Sequence, residues 1–239
     1  MTTAPAEHPA EPHGAGLGAR LNWLRAGVLG ANDGIVSVAG IVIGVAGATS
    51  NVTAIATAGV AGLVAGAMSM AGGEYVSVST QRDTERAVLE KERWELATMP
   101  DDELAELAGL YQEKGLTPEL ATQVAAQLTE HDALRAHAEA ELGIDPDDLT
   151  SPWAAAGASF VSFTVGALIP LLVILVPVDG WRIWLTVAAV LVGLTVTGFV
   201  SARLGGAPAG RAVLRNVGMG AATMAFTWGV GKVFGTVVG

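Results

Sequence analysis

Five stretches of the chain are apolar for about 20 residues, the length a helix needs to cross the hydrocarbon core of a bilayer. They run over 26–48, 52–73, 154–176, 181–202 and 212–237. A polar turn at Asn51 separates the first two, residues 177–180 punctuate the third and fourth, and 205–210 the fourth and fifth. The fifth is the weakest, because Arg215 lies near its start and Lys232 near its end, both placed to snorkel towards head groups. Residues 74–150 have a different pattern. The stretch 74–97 contains no breaker and predicts one long helix continuing out of the second span. Pro100-Asp101-Asp102 and Thr117-Pro118-Glu119 are start signals for two further helices, Gly115 is a stop, and the last helix runs, with a break, to Leu142. Residues 145–152 read as a linker. The segment 1–19 lacks periodicity and predicts a disordered tail, with no basic, apolar and cleavable order of a signal peptide.

Composition sharpens this picture. Hydrophobic residues make up 51% of the chain and charged residues only 15%, well below the quarter usual in soluble domains. The 31 glycines suit close helix crossings in a bilayer. Absence of cysteine excludes disulfides, thiolate ligands and cysteine nucleophiles. The net charge of -10 is local: nineteen of the 23 acids lie in 74–148, against six Lys or Arg. Such a segment points to cations and away from nucleic acid. Arg20, Arg25, Arg82, Arg86, Arg203, Arg211 and Arg215 flank one set of span ends, against only Arg182 and Lys232 at the other. The positive-inside rule therefore puts the N-terminus and the acidic segment in the cytoplasm and the C-terminus outside.

Within the spans, Asp33 is the one acid, and an ionisable group there is a functional candidate by default. Asp33, Ser37, Gly40, Gly44 and Gly47 recur at helical spacing and predict a face that lines a narrow pathway, a dimer contact, or both. Gly62, Gly66, Met70 and Glu74 share a face of the second span, where a thioether and a carboxylate one turn apart suit a divalent transition metal. Packing is the commoner role of such a methionine. In the acidic segment, Glu92 with Glu95 and Glu103 with Glu106 put paired carboxylates on helix faces. His137, Glu139 and Glu141 extend the set, giving oxygen ligands with one imidazole, which suits iron(II), manganese(II) or zinc. Glutamates at this spacing are also common on plain solvated helices. No Glu precedes His131 or His137 by three residues, so the paired Glu-x-x-His motif of di-iron bundles is missing, and no Ser-His-Asp arrangement is suggested.

From about Arg20 to the C-terminus the chain resembles the vacuolar iron transporter family. The resemblance is carried by Asp33-Gly34, by the Gly66 to Glu74 segment followed by Ser79-Thr80-Gln81-Arg82-Asp83, and by the glutamate-bearing helices. Asp33 and Met70 stand at the family's pore aspartate and methionine. Glu92, Glu95, Glu103 and Glu106 keep the spacing of its metal-binding glutamates, and Glu141 stands where a further one is expected. In one departure, His137 and Ala138 replace the Met pair of plant-type members.

The resemblance implies an all-α integral membrane protein of five transmembrane helices, with a cytoplasmic helical metal-binding domain between helices 2 and 3. Its parts would be a tail (1–19), helices 1–2 (20–73), the metal-binding domain (74–150) and helices 3–5 (151–239). It implies a homodimer, not an enzyme, that exports iron(II) or manganese(II) from the cytosol by proton antiport through a pore at the dimer interface. Glu92, Glu95, Glu103, Glu106 and Glu141 would capture the ion, with His137 a replacement candidate from this sequence; Asp33 and Met70 would pass it, with Glu74 one turn beyond Met70 a further candidate. The Ala/Gly/Arg-rich composition points to a GC-rich bacterial genome and the plasma membrane. The alternative is a membrane-tethered iron-binding or ferroxidase protein that stores or oxidises metal without moving it.

Overall fold

The structure is a computed structural model that describes residues 16–147, 149–178 and 180–238. Among them every regular element is a helix: α1 (Gly16–Ala48), α2 (Val52–Thr98), α3 (Pro100–Glu113), α4 (Pro118–His137), a π-helical turn (Ala138–Leu142), α5 (Pro152–Ile174), α6 (Arg182–Leu204) and α7 (Ala209–Val238). Most of the predicted tail lies outside the described residues, but 16–19 form the start of α1 rather than irregular chain. Among the described residues, four helices are long and apolar enough to cross a membrane: α1 from Gly27, α2, α5 and α6. Although α7 is 30 residues long, it is not among the four; Arg211, Arg215 and Lys232 dilute its apolar character.

The chain divides into two compact units, one containing Ser77–Ser151 and the other Leu21–Val76 with Pro152–Gly239. The apolar unit has a broad core centred on Ile35, Val38, Val42, Phe163, Leu171 and Leu194. Glycines let its backbones touch. A Cβ on Gly34 would run into the carbonyl oxygen of Phe163 in α5, and one on Gly231 of α7 into that of Gly44 in α1. Both small-xxx-small pairs of the first span thus serve crossings within the chain, Gly30/Gly34 against α5 and Gly40/Gly44 against α7.

This splits the face predicted from Asp33 to Gly47. Gly40 meets Thr223 and Thr227, Gly44 meets Thr227, and Gly47 meets Trp228, so α7 of the same chain covers the glycine half. Asp33 and Ser37 stay half-buried. The reason is geometric: a 4-3-4-3 repeat drifts by about 20° per heptad around a straight helix, so over two heptads the stripe winds off one face.

The acidic unit has a much thinner core, Leu107, Ala108, Ala125 and Ala136 with flanking Leu104, Tyr111 and Leu128. Its helices begin where the sequence signals them. Pro100 opens α3, whose first turn holds Asp101, Asp102 and Glu103. The Thr117 hydroxyl accepts from the Leu120 backbone N–H at 3.4 Å to cap α4. Gly115, at φ 101°, provides the left-handed turn between them. The break anticipated before Leu142 falls at Asp132, whose backbone is extended (φ -160°, ψ 95°).

Candidate metal centre

Three elements of the acidic unit converge on one buried point. Glu92 comes from the C-terminal half of α2, Glu103 from the first turn of α3, and His137 from the last residue of α4. Glu92 and Glu103 are 3% and 5% exposed and His137 is wholly buried, which is rare for ionisable groups without compensation. His137 Nδ1 lies 2.9 Å from Glu92 Oε1 and 3.5 Å from Glu103 Oε2. Despite this proximity the ring N–H does not aim at the carboxylate. Glu92 Oε1 and both His137 nitrogens have no hydrogen-bond partner. Unpaired donor atoms of that kind, facing one another in a buried site, suit a shared cation better than a hydrogen bond.

Glu141 completes the group. One ligand atom each from Glu92, His137 and Glu141 lie within 4.8 Å of one another. Ligand atoms at about 2.0–2.2 Å from one tetrahedral ion are roughly 3.3–3.6 Å apart, so these three lie near the spacing that a shared ion requires. Glu141 is exposed and forms the solvent side. Glu141 is carried on the π-helical turn that directly follows His137. Arg135 holds that turn. Its guanidinium donates to both carboxylate oxygens of Asp145 (3.1 and 3.2 Å), to Asp147 (3.2 Å) and, through Nε, to Glu139 (2.9 Å).

Glu139 therefore does not join the ligands, a correction to the sequence reading. Residues two apart on a helix point away from one another, so Glu139 and Glu141 cannot both face one ion. Glu95 is half-buried and paired with Lys91 Nζ at 2.7 Å, and Glu106 is exposed. Both are still part of the local field. Burial first, then the charges of Glu141, Glu103, Glu95 and Glu106, push the Glu92 carboxyl up to about 7. Burial leads the upward shifts of Glu103 and Glu141 as well, reinforced by Glu106 and Glu95. Burial lowers His137, opposed by the charge of Glu106. Carboxylates that resist ionising together and an imidazole kept neutral are ready for a divalent cation, which relieves the repulsion and uses the free lone pair.

Asp33, Met70 and Glu74 belong to the apolar unit, and among the described residues they form no comparable cluster. Asp33 accepts a hydrogen bond from the Ser37 hydroxyl at 3.0 Å. Met70 packs against the apolar core, while Gly66 on the same face abuts the Phe163 ring. Glu74 is half-buried near the point where the two units divide. The sequence reading missed Arg135 and the π-helical turn. Asp145 and Asp147 after Gly143 were the available signal, but they read equally well as an acidic linker.

The model of one known family, the VIT family, matches residues 24–232 of this chain. The chain belongs to the VIT family. Among curated relatives of this VIT-family protein, the "Vacuolar iron transporter" of Acanthamoeba castellanii is 47% identical, the match covering 92% of this chain and 82% of that protein. "Vacuolar iron transporter homolog 1" of Oryza sativa subsp. japonica is 37% identical over 95% of this chain and 80% of its own length. "Vacuolar iron transporter homolog 2" of Arabidopsis thaliana is 36% identical over 90% and 86%. Family membership and four apolar helices together make the chain a membrane protein.

Proposed function

We propose that this VIT-family protein exports iron(II) or manganese(II) from the cytosol, exchanging the metal for protons through a path between two copies of the chain. The observation that carries the reading is the convergence of Glu92 and His137, buried and with ligand atoms that lack hydrogen-bond partners, with exposed Glu141, in a chain whose relatives are named iron transporters. The acidic domain, on the cytoplasmic side, gathers the ion: Glu92, His137 and Glu141 bind it, Glu103 lies against the imidazole, and Glu95 and Glu106 attract it. Carboxylate and imidazole ligands suit iron(II) and manganese(II), and they admit zinc.

All five apolar segments, α7 included, span the bilayer in this reading. The arrangement of α1 supports a dimer. Leu29 and Ile41 are 57% and 37% exposed, and half-buried Asp33 and Ser37 lie between them at four-residue spacing. This outward strip would set an acid against lipid in a monomer and against the partner's α1 in a dimer, where the cost of a membrane carboxylate is relieved by water and metal. Asp33 binds metal when ionised and releases it when protonated, so one carboxylate couples the two fluxes. Met70 and Glu74 line the approach from the cytoplasmic side.

The test is uptake of iron(II) and manganese(II) into proteoliposomes holding a pH dye, with wild type beside Asp33→Asn. Metal flux with opposite proton movement, both lost in the variant, is the expected result. Metal binding or iron oxidation without flux would sink transport and leave the storage or ferroxidase reading.

A further inference from the structure

At the end of the apolar unit where α1 finishes and α6 begins, two adjoining depressions share Gly180 and Ile183. The larger is a cleft of about 470 Å³, within the range of about 300–1,000 Å³ typical of small-molecule sites. Its walls are apolar, including Ile43, Val187, Met224 and the indoles of Trp184 and Trp228, and its one charge is Lys232. The smaller contains Arg182, beside the polar turn of Thr49 and Ser50.

Three features give this cleft a chemistry. First, it is amphiphilic in an ordered way, with an apolar trough bordered by two cations. Among the described residues neither Arg182 nor Lys232 has an ion-pair partner, and Arg182 Nε is buried with no hydrogen-bond partner. Asp179, the neighbouring acid in sequence, lies outside the described residues. Second, the α6 N-terminus starts here, at Arg182 after Trp181, without a side-chain cap. Its free N–H groups and dipole favour an anion. Third, Trp181 and Trp184 are 65% and 67% exposed at this end, as indoles are at the head-group level of a bilayer. Lys232 Nζ sits 5.6 Å from the Trp228 ring centroid, so the ammonium is held at the rim of the cleft.

We infer that this cleft binds an anionic phospholipid, one acyl chain lying in the trough of Trp184, Met224 and Trp228 and the head-group phosphate held by Arg182 and Lys232. Membrane placement makes lipid the molecule in contact with an apolar, outward-opening groove of this kind. The two cations select the anionic head group over a zwitterionic one. The site lies among α1, α6 and α7 and shares no lining residue with the metal centre or with Asp33.

The test is native mass spectrometry of the purified full chain in detergent, incubated with phosphatidylglycerol, with phosphatidylcholine of the same acyl chains, or with inorganic phosphate alone. Wild type is expected to retain phosphatidylglycerol preferentially, by about fivefold for each cation engaged. Arg182→Gln with Lys232→Gln should bring retention down to the phosphatidylcholine level. Ala225→Trp, which fills the trough, should reduce retention of both lipids. Should the double variant fail to fold, Lys232→Gln alone, at an exposed position, carries the charge test. Equal retention of the two lipids by wild type, unchanged retention in the charge variants, or competition by phosphate alone would each overturn the assignment.

Discussion

The two units of this chain bury opposite things by opposite means. The apolar unit buries backbone: Gly34, Gly44, Gly166 and Gly231 let helices approach until carbonyls and α-carbons touch, around a core of Ile, Val, Leu and Phe. The acidic unit has a sparse core of Leu107 and three alanines, and it buries Glu92, Glu103 and His137 instead. In lipid, association gains little from apolar side chains alone, so close packing of small residues must supply it. In water, a small unit that hides carboxylates is under-stabilised until a cation arrives. The comparison teaches that one unit is held by close backbone packing, whereas the other buries ionisable groups whose ligand atoms lack partners.

The largest effect that would break this contrast lies at the buried donors. His137→Ala or Glu92→Gln should weaken manganese(II) or iron(II) binding by more than about 100-fold, beyond the 10–100-fold typical of outer-shell partners. Calorimetric titration of the full chain in detergent measures it, and unchanged affinity would remove the metal centre. Next comes packing in the other unit. Gly34→Val should destabilise by roughly 1–3 kcal/mol, the range for overpacking, read as a lower melting temperature. Gly72→Ala, where an added Cβ meets nothing within 4 Å, should leave the melting temperature nearly unchanged. Equal effects at both positions would show that the crossings are not what holds the apolar unit together.

Smaller effects sharpen the comparison. Arg135→Ala, which releases the π-helical turn, should weaken metal binding by about tenfold without abolishing it. Lysine should rescue little, since three nitrogens of one planar guanidinium reach Glu139, Asp147 and Asp145 at once. Last is pH. Glu92, raised to about 7, must lose its proton to bind metal, so affinity should fall by at most about tenfold per unit as pH drops below 7. Apo stability should run the other way. A carboxyl raised in the folded state contributes stability below its unfolded value of 4.5 and loses it as pH rises through about 7. Glu103 and Glu141 act in the same direction, while His137, lowered by burial, loses stability as pH falls through 6.5 and opposes them in part. Melting curves of the metal-free chain between pH 5 and 8 should therefore show a net loss towards the alkaline side, reduced in Glu92→Gln to what Glu103 and Glu141 contribute.

Element boundaries were legible because they rest on local chemistry. The Pro100 and Thr117-Pro118 starts, the Gly115 turn and the uninterrupted run through Thr98 depend on residues within a few positions of one another. The candidate ligands were also legible as residue types at helical spacing, and family resemblance supplied their order. Their ranking was not. The i,i+4 pairs of Glu139 with Arg135 and of Glu95 with Lys91 are local, but only the meeting of α2, α3 and α4 buries Glu92 and brings Glu141 to the same point.

The sequence by itself determined that the protein is helical, that four of the five stretches it offered as spans lie on helices apolar enough for a membrane, and that its acids are concentrated in one segment, since periodicity and composition act residue by residue. Tertiary structure alone decided that the glycine half of the Asp33 face is covered by α7, that His137 lies against Glu92, and that a π-helical turn carries Glu141 to the same point. Those outcomes depend on which helix meets which and on a few tens of degrees of helical rotation. Spacing along a chain fixes the face of a helix but not the neighbour opposite it.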